Sequence, residues 1–183
     1  MIENVTPELV ARLFPEPPSD GIVLTPPLTI DPALEATGID FGGTRFVVFF
    51  ADVLVYAGGD QALLEQTAQS WHVGMVPAPG ARLVKFLRIE ADKESMFNPK
   101  AWPLPDPEMI WQFMDILSEA LVRHAETFPD VPQYFYMPQC KELDSLYNRM
   151  SRRFDVHAKT RVAFHCVAQP ADEEGGFYGF ERI

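Results

Sequence analysis

The most regular alternation of apolar and polar positions lies between residues 132 and 168. A short aromatic run at residues 133–137 stands between two prolines, which is typical of a strand. Over residues 139–154 the apolar positions recur at helical spacing, and this predicts a helix with one buried stripe. Residues 161–168 form a second predicted strand. A strand, a helix and a strand in about 35 residues have the length of a βαβ crossover, so we expect the two strands to run parallel or nearly so.

The remaining segments show the same two kinds of pattern. Apolar runs bounded by glycine or proline predict strands at residues 21–24, 45–56, 83–89 and 176–183. Helical spacing behind a capping residue predicts helices at residues 6–14, 60–71 and 106–128, with one helical turn at 31–36.

Residues 45–57 allow two interpretations. They form either one long bent strand or two strands joined by a turn at Ala51-Asp52. Asp52 is correspondingly either a turn residue or a buried base, because a lone carboxylate within an apolar strand is unusual.

Together these elements predict an α/β protein of the α+β type with a central mixed sheet. We expect about six or seven strands flanked by about four helices. The length of 183 residues suits a single domain over residues 1–183.

Composition and charge narrow the possible partners. Hydrophobic residues make up 47% of the chain and charged residues 22%, which is ordinary for a globular protein. The net charge of −11 argues against nucleic acid and against an anionic membrane surface, because both require a basic face. It is compatible with a cationic partner, such as a basic protein, a polyamine or another amine. No secretory signal is visible and the longest apolar run is too short to span a bilayer, so we expect a cytoplasmic protein.

The sequence contains no recognisable metal or nucleophile motif. Its four histidines have none of the spacings typical of zinc sites, and we expect no metal. Its two cysteines, Cys140 and Cys166, form neither a disulfide framework nor a CxxC site.

The segment Leu146-Tyr147-Asn148-Arg149-Met150 lies within the predicted helix between the two C-terminal strands. In sequence and position it resembles the fourth helix of the GCN5-related N-acetyltransferase (GNAT) family, where a Leu-Tyr pair lies mid-helix. The resemblance implies an acyl-CoA N-acyltransferase-like fold and acetyl-CoA as cofactor, with Tyr147 as the general acid near its sulfur. The predicted C-terminal order of strand, long helix, strand, helix, strand and strand is also the order in that family. The alternative is that Tyr147 is a core tyrosine with its hydroxyl at the margin.

The connection before the long helix departs from that family. There the resemblance implies a Gln/Arg-x-x-Gly-x-Gly/Ala turn whose backbone N–H groups bind the CoA pyrophosphate. This chain has Leu104-Pro105-Asp106-Pro107 instead, without glycine and with a carboxylate at the helix start. The sequence therefore predicts no cofactor-binding residue at this place.

The connection at residues 91–105 carries large apolar side chains, although it is longer than most loops in compact domains. Met96, Phe97 and Trp102 are candidates for partner binding, and the nearby prolines limit the entropy lost on docking. One hypothesis is that the aromatic residues fold back to cap the core. The other is that they present an anchor to a basic protein, which the acidic surface attracts.

Two functions follow from these patterns. The one that we favour is a non-catalytic, acidic protein-binding protein of the inhibitor, immunity or adaptor type, without a cofactor. The alternative is an active GNAT-type N-acyltransferase that uses acetyl-CoA, with Tyr147 as general acid.

Overall fold

The computed structural model describes residues 5–56, 58, 59, 62, 75–96, 98, 100–104, 106–138, 140–156, 161–169 and 177–183. The strands in these ranges are β1 (Ile22–Leu24), β2 (Leu28–Asp31), β3 (Leu34–Phe41), β4 (Thr44–Asp52), β5 (Arg82–Arg88), β6 (Gln133–Tyr136), β7 (Phe164–Gln169) and β8 (Phe177–Arg182). The α-helices are α1 (Pro7–Leu13), α2 (Val53–Tyr56), α3 (Ile110–Thr127) and α4 (Lys141–Val156). A 3₁₀ turn, Pro107–Met109, precedes α3.

The strands hydrogen-bond in the order β1-β3-β4-β5-β6-β8-β7, and β2 also pairs with β3. β5 and β6 pair in parallel, whereas β1 and β2 pair antiparallel with β3, and β6 and β7 pair antiparallel with β8. The predicted α+β class with a mixed sheet is therefore confirmed. Within the described ranges the sheet has eight strands rather than six or seven.

The chain divides into two compact units. Unit 1 consists of Met1–Phe50 and Lys85–His124, and unit 2 of Ala51–Val84 and Ala125–Ile183. The single domain over residues 1–183 stays a prediction.

In unit 1, helix α1 packs on the sheet as its sequence predicts. Thr6 caps it, because its hydroxyl oxygen accepts a hydrogen bond from the Leu9 N–H at 3.2 Å, and Pro7 occupies the first turn. Phe14 then packs directly on the backbone of Gly38, where a Cβ atom would lie 2.5 Å from the Phe14 Cζ. Only glycine allows this close approach. The core of this unit consists of Leu9, Leu13, Phe14, Ala36, Val47, Phe49 and Leu87.

The helical turn predicted at residues 31–36 is wrong. These residues instead join β2 to β3, and the Asp31 carboxylate accepts a hydrogen bond from the Ala33 N–H at 2.8 Å in the turn. The apolar pattern does not predict β3, because three of its buried residues, Glu35, Thr37 and Asp40, are polar. This hairpin accounts for the additional strands.

Residues 45–57 were predicted as one long bent strand or as two strands, and both interpretations are wrong for the residues that follow Asp52. The strand β4 ends there and the chain turns into the short helix α2. Asp52 causes the change, because its Oδ1 accepts hydrogen bonds from the N–H groups of Leu54 at 3.0 Å and Val55 at 3.1 Å. Its Oδ2 lies 3.0 Å from Arg82 Nη1 in an ion pair, so the carboxylate has a structural role.

In unit 2, the predicted strand–helix–strand crossover is β6, α4 and β7. β8 lies between β6 and β7 and is antiparallel to both, so the two strands run parallel as predicted. Aromatic rings fill the space under α4, and the buried ones include Tyr134, Tyr136, Tyr147, Phe154, Phe164 and Phe180.

The strand predicted at residues 83–89 and the long helix predicted from residue 106 are confirmed as β5 and α3. The helix predicted at residues 60–71 lies outside the described residues, apart from Ala62. Among the helices in the described ranges, none is long and apolar enough to cross a bilayer.

Candidate functional site

The three partner-binding candidates of the 91–105 connection have different surroundings. Met96 is half-buried and packs against the core of unit 1. Phe97 lies outside the described residues. Trp102 is half-buried, and its Nε1–H donates a hydrogen bond to Ser95 Oγ at 2.8 Å. The Arg88 guanidinium carbon lies 5.6 Å from the Trp102 ring centroid, within the range of a cation–π contact.

The turn that holds Trp102 is organised by Asp92. Its carboxylate accepts hydrogen bonds from the Ser95 hydroxyl at 2.7 Å and from the N–H groups of Ser95 at 2.8 Å and Glu94 at 3.0 Å. The Ser95 side chain and backbone hydrogen bonds lower the pKa of Asp92, although this carboxyl is exposed. Arg88 also donates to the Pro103 carbonyl at 3.2 Å. The connection is therefore held by polar contacts with its own chain.

Trp111 is an exposed aromatic residue that the sequence patterns did not single out. It lies in the first turn of α3 and its exposed fraction is 52%. Glu108, three residues before it, and Asp115, four residues after it, are exposed as well. Glu108 lies in the 3₁₀ turn that leads into α3, and the spacing of four places Asp115 on the same face of α3 as Trp111. We call Glu108, Trp111 and Asp115 the α3 surface.

The sequence itself indicates that Trp111 lies on the exposed face of α3. The apolar stripe of α3 contains Phe113, Met114 and Leu117, all of which are buried. Trp111 lies off that stripe and among the polar positions of the outer face. A tryptophan on the polar face of an amphipathic helix is a reason to suspect a contact surface.

The beginning of α3 is capped by its own chain. Asp106 Oδ1 accepts a hydrogen bond from the Glu108 N–H at 2.9 Å, and Pro107 has no N–H to donate. Both carboxylates offset the positive end of the helix dipole. These residues do not fit a pyrophosphate, which needs free N–H donors and no competing negative charge.

Tyr147, the predicted general acid, lies in the interior of unit 2. Its exposed fraction is 2%, and its ring centroid lies 4.8 Å from that of Tyr136 and 5.9 Å from that of Tyr178. Burial, with a smaller contribution from Cys140, raises the pKa of Tyr147 well above its usual range. The protonated phenol is therefore the stable form in the fold.

The hydroxyl groups of the two neighbouring tyrosines, Tyr178 and Tyr136, differ in their hydrogen-bond partners. Tyr178 donates a hydrogen bond to Asp144 Oδ1 at 2.6 Å. Tyr136 is fully buried, and within the part of the chain that the structure describes its hydroxyl has no hydrogen-bond partner. Burial and the neighbouring tyrosines raise the pKa of Tyr136.

Stability is expected to fall as the pH rises above about 10, the ordinary pKa of tyrosine. The folded state keeps Tyr136 and Tyr147 protonated because their pKa values are raised, whereas the unfolded chain ionises both. Their contribution to the free energy of unfolding is therefore fully present below the pKa that tyrosine has in the unfolded chain. Above that pH the contribution falls, by up to about 1.4 kcal/mol per pH unit for each tyrosine. Urea unfolding at several pH values above 10 measures the slope, that is, the change in the free energy of unfolding per pH unit.

Tyr136→Phe should reduce this slope by the contribution of one tyrosine. The matched control is Tyr56→Phe, which makes the same substitution at a tyrosine that is 53% exposed. An unchanged slope in Tyr136→Phe would contradict the explanation.

No family model matches this chain, and neither a curated protein sequence nor a solved structure matches it.

Proposed function

We propose that this protein is a non-catalytic, acidic binding protein with an acetyltransferase-like scaffold, and that its partner is a basic protein. One observation carries the proposal, namely the 52% exposed indole of Trp111 in the first turn of α3, with exposed Glu108 three residues before it and exposed Asp115 four residues after it. Trp102 remains a further partner-binding candidate, because its segment leads along the chain into α3.

The physical reason is that an exposed tryptophan gains most when a partner covers it. Tryptophan is enriched among the residues that dominate binding energy, and its rigid ring loses little conformational entropy on binding. Carboxylates beside it attract a basic partner and accelerate the encounter. The net charge of −11 extends this attraction beyond the α3 surface.

Two observations favour binding over acyl transfer. Tyr147 packs within the aromatic interior of unit 2, which supports a core role for its ring. The start of α3 carries Asp106 and Glu108, where a CoA pyrophosphate would need hydrogen-bond donors.

The scaffold part of the proposal is supported by the order of elements. β5, α3, β6, α4, β7 and β8 follow one another as the resemblance implies. Fold similarity alone says little about activity, so the proposed function depends on the α3 surface.

An array of lysine- and arginine-rich peptides tests the binding function. We expect the protein to bind basic peptides and to release them as salt increases. Trp111→Ala should weaken binding by about tenfold or more, which is typical of an anchor residue. The control Tyr56→Ala removes an aromatic residue of similar exposure, 53%, and should bind as the wild type does. Absence of binding to basic peptides, or equal binding by Trp111→Ala, would contradict the proposal.

Acetyl-CoA is expected to leave the melting temperature unchanged. A ligand that binds only the folded state stabilises it by about 2.7 kcal/mol when the ligand concentration is about 100 times the dissociation constant. Thermal unfolding with and without acetyl-CoA measures this difference. A clear rise in melting temperature would instead support the N-acyltransferase alternative with Tyr147 as general acid.

A further inference from the structure

A cleft of about 480 Å³ lies in unit 1, lined by the end of α1, residues 15–19 and the connection from β1 to β2. We call it the α1 cleft. Its volume is within the range of about 300–1,000 Å³ that is typical of small-molecule sites. Most of its lining is apolar and includes the side chains of Leu13, Phe14, Val23, Leu24 and Leu28. The residues of the α3 surface do not line it, so the two sites are separate.

Four prolines stiffen the α1 cleft. Pro15 and Pro17 follow α1, and Pro26 and Pro27 connect β1 to β2. Proline fixes its own φ angle, so these segments lose little conformational entropy when a ligand binds. Val23 also lines the cleft and is 45% exposed, so a ligand there would remove apolar surface from water. The cleft is therefore pre-formed for an apolar molecule.

Several polar side chains of the lining are already hydrogen-bonded within the chain. The hydroxyl oxygens of Ser19 and Thr25 accept hydrogen bonds from backbone N–H groups at 3.1 and 2.7 Å. The Asp40 carboxylate accepts two more from backbone N–H groups, both at 3.0 Å. These three side chains stabilise the walls of the cleft, so they do not need a ligand as their partner.

Arg45 is a cation that the fold holds in place in the lining. Its Nε–H donates to the Asp40 carboxylate at 3.1 Å, and Nη2 donates to the Glu16 carbonyl. Its guanidinium carbon lies 4.7 Å from the centroid of the Phe14 ring, and its side chain is 13% exposed. A guanidinium has more N–H donors than these two bonds use. Arg45 can therefore donate to a further acceptor without leaving Asp40.

Arg12 is the second cation of the lining. It lies in the last turn of α1 and is exposed, and its Nη2 reaches the Thr29 carbonyl only at 3.5 Å, which is long for a hydrogen bond. The carboxylates of the lining are Asp40, which Arg45 neutralises, and the exposed Glu16. The groups with donors to offer are therefore the two guanidinium groups, and the ligand that they favour carries an acceptor with negative charge.

We propose that the α1 cleft binds a small molecule with an apolar body and a carboxylate group. The body packs on Phe14, Val23 and Leu28, and the carboxylate accepts hydrogen bonds from Arg12 and Arg45. Carboxylates form strong, charge-assisted hydrogen bonds with guanidinium groups. The net charge of −11 repels an anion at a distance, but the Debye length is only about 8 Å at physiological salt, so the nearby arginines have the larger effect. This site goes beyond the proposed function, because its ligand is a small molecule and not a protein.

Decanoate, decanol and decylamine test the proposal, because they share one apolar chain and differ in the head group. Titration calorimetry with each compound gives its dissociation constant. We expect decanoate to bind about tenfold or more tightly than decanol, the factor that corresponds to one charge-assisted hydrogen bond. Decylamine should bind more weakly than decanol, because it would bring a third cation beside two arginines. Absence of decanoate binding, or decylamine binding as tight as that of decanoate, would overturn the proposal.

A series of shorter carboxylates tests burial of the apolar body. Each methylene that is removed from decanoate should weaken binding by up to about fourfold, because less apolar surface leaves water. An affinity that does not depend on chain length would indicate ion pairing at the surface and would overturn binding within the cleft.

The carboxylate contact is tested by Arg12→Gln, which removes a charge and keeps a long polar side chain. This variant should weaken decanoate binding about fivefold or more and leave decanol binding unchanged. The control is Lys93→Gln, which neutralises an exposed cation of unit 1 that does not line the cleft. Equal effects of the two variants on decanoate binding would overturn the role of Arg12.

The position of the site is tested by two substitutions on β1. Val23→Trp should fill part of the cleft and abolish decanoate binding. Ile22→Trp is the matched control, because Ile22 is 40% exposed, does not line the cleft and points to the opposite face of the strand. Melting temperatures show whether both variants are folded, and Val23→Phe makes the same comparison if Val23→Trp is not. Decanoate binding that survives in the folded Val23 variants would overturn the assignment to this cleft.

Discussion

Replacement of Glu35 by alanine is expected to lower the free energy of unfolding by about 1–3 kcal/mol, the cost of leaving a buried polar group without its partner. Glu35 Oε2 lies 3.4 Å from His124 Nε2, and the side chains are 4% and 0% exposed. The His124 ring also stacks on Phe50, with 3.8 Å between the centroids. Alanine would leave the imidazole buried without this carboxylate. Urea denaturation followed by circular dichroism measures the loss.

The control is Glu35→Gln, which keeps the size of the side chain and its ability to form hydrogen bonds. We expect it to cost much less than alanine, because the amide can still contact the imidazole. The combined replacement of Glu35 by leucine and His124 by phenylalanine should recover part of the loss, because an apolar pair needs no polar partner. A loss of less than about 1 kcal/mol in Glu35→Ala would contradict a structural role for the pair.

Tyr147→Ala is expected to cost about 3 kcal/mol or more, because it removes a large ring from a packed interior. Tyr147 contacts the rings of Tyr136 and Tyr178, and alanine would leave a cavity between them. Tyr147→Phe keeps the ring and should cost about 1 kcal/mol or less. Chemical denaturation of both variants gives the comparison.

Tyr56→Ala is the matched control, since this exposed tyrosine should contribute little to stability. If Tyr147→Phe destabilised the protein as much as Tyr147→Ala, the hydroxyl and not the packing would dominate. If Tyr147→Phe kept the fold but abolished an assayed acyl transfer, the general-acid role would be supported.

Tyr147 shows how far the apolar period reached. The spacing of apolar residues over 139–154 placed the tyrosine correctly on a helix between two C-terminal strands. It did not reveal the surrounding rings, because Tyr136 and Tyr178 come from strands that are separate in sequence. Only the pairing of β6 with β8 brings those two residues opposite each other.

The exposure of Trp111 follows from the sequence of α3. The stripe of α3 predicts which face is buried, and Trp111 lies outside it. The surroundings of Trp102 could not be predicted from the sequence, because its contact with Arg88 joins the end of β5 to a distant part of the 91–105 connection.

The sequence by itself determined the elements that have a regular apolar period or a bounded apolar run. Helices α1, α3 and α4 show the helical period because one face is buried, and the strands β4 to β8 were recognised as apolar or aromatic runs bounded by turn residues. Local caps such as Thr6 and Asp106 also act between neighbours, so the sequence shows them directly.

Only the tertiary structure decided the elements that depend on buried polar contacts between distant residues. β3 contains Glu35 and Asp40, whose partners include His124 and Arg45. Asp52 at the end of β4 forms an ion pair with Arg82 on β5, a residue 30 positions away in the chain. A buried polar group is stable only when its partner is present, and that partner is supplied by the fold rather than by neighbouring positions in the chain.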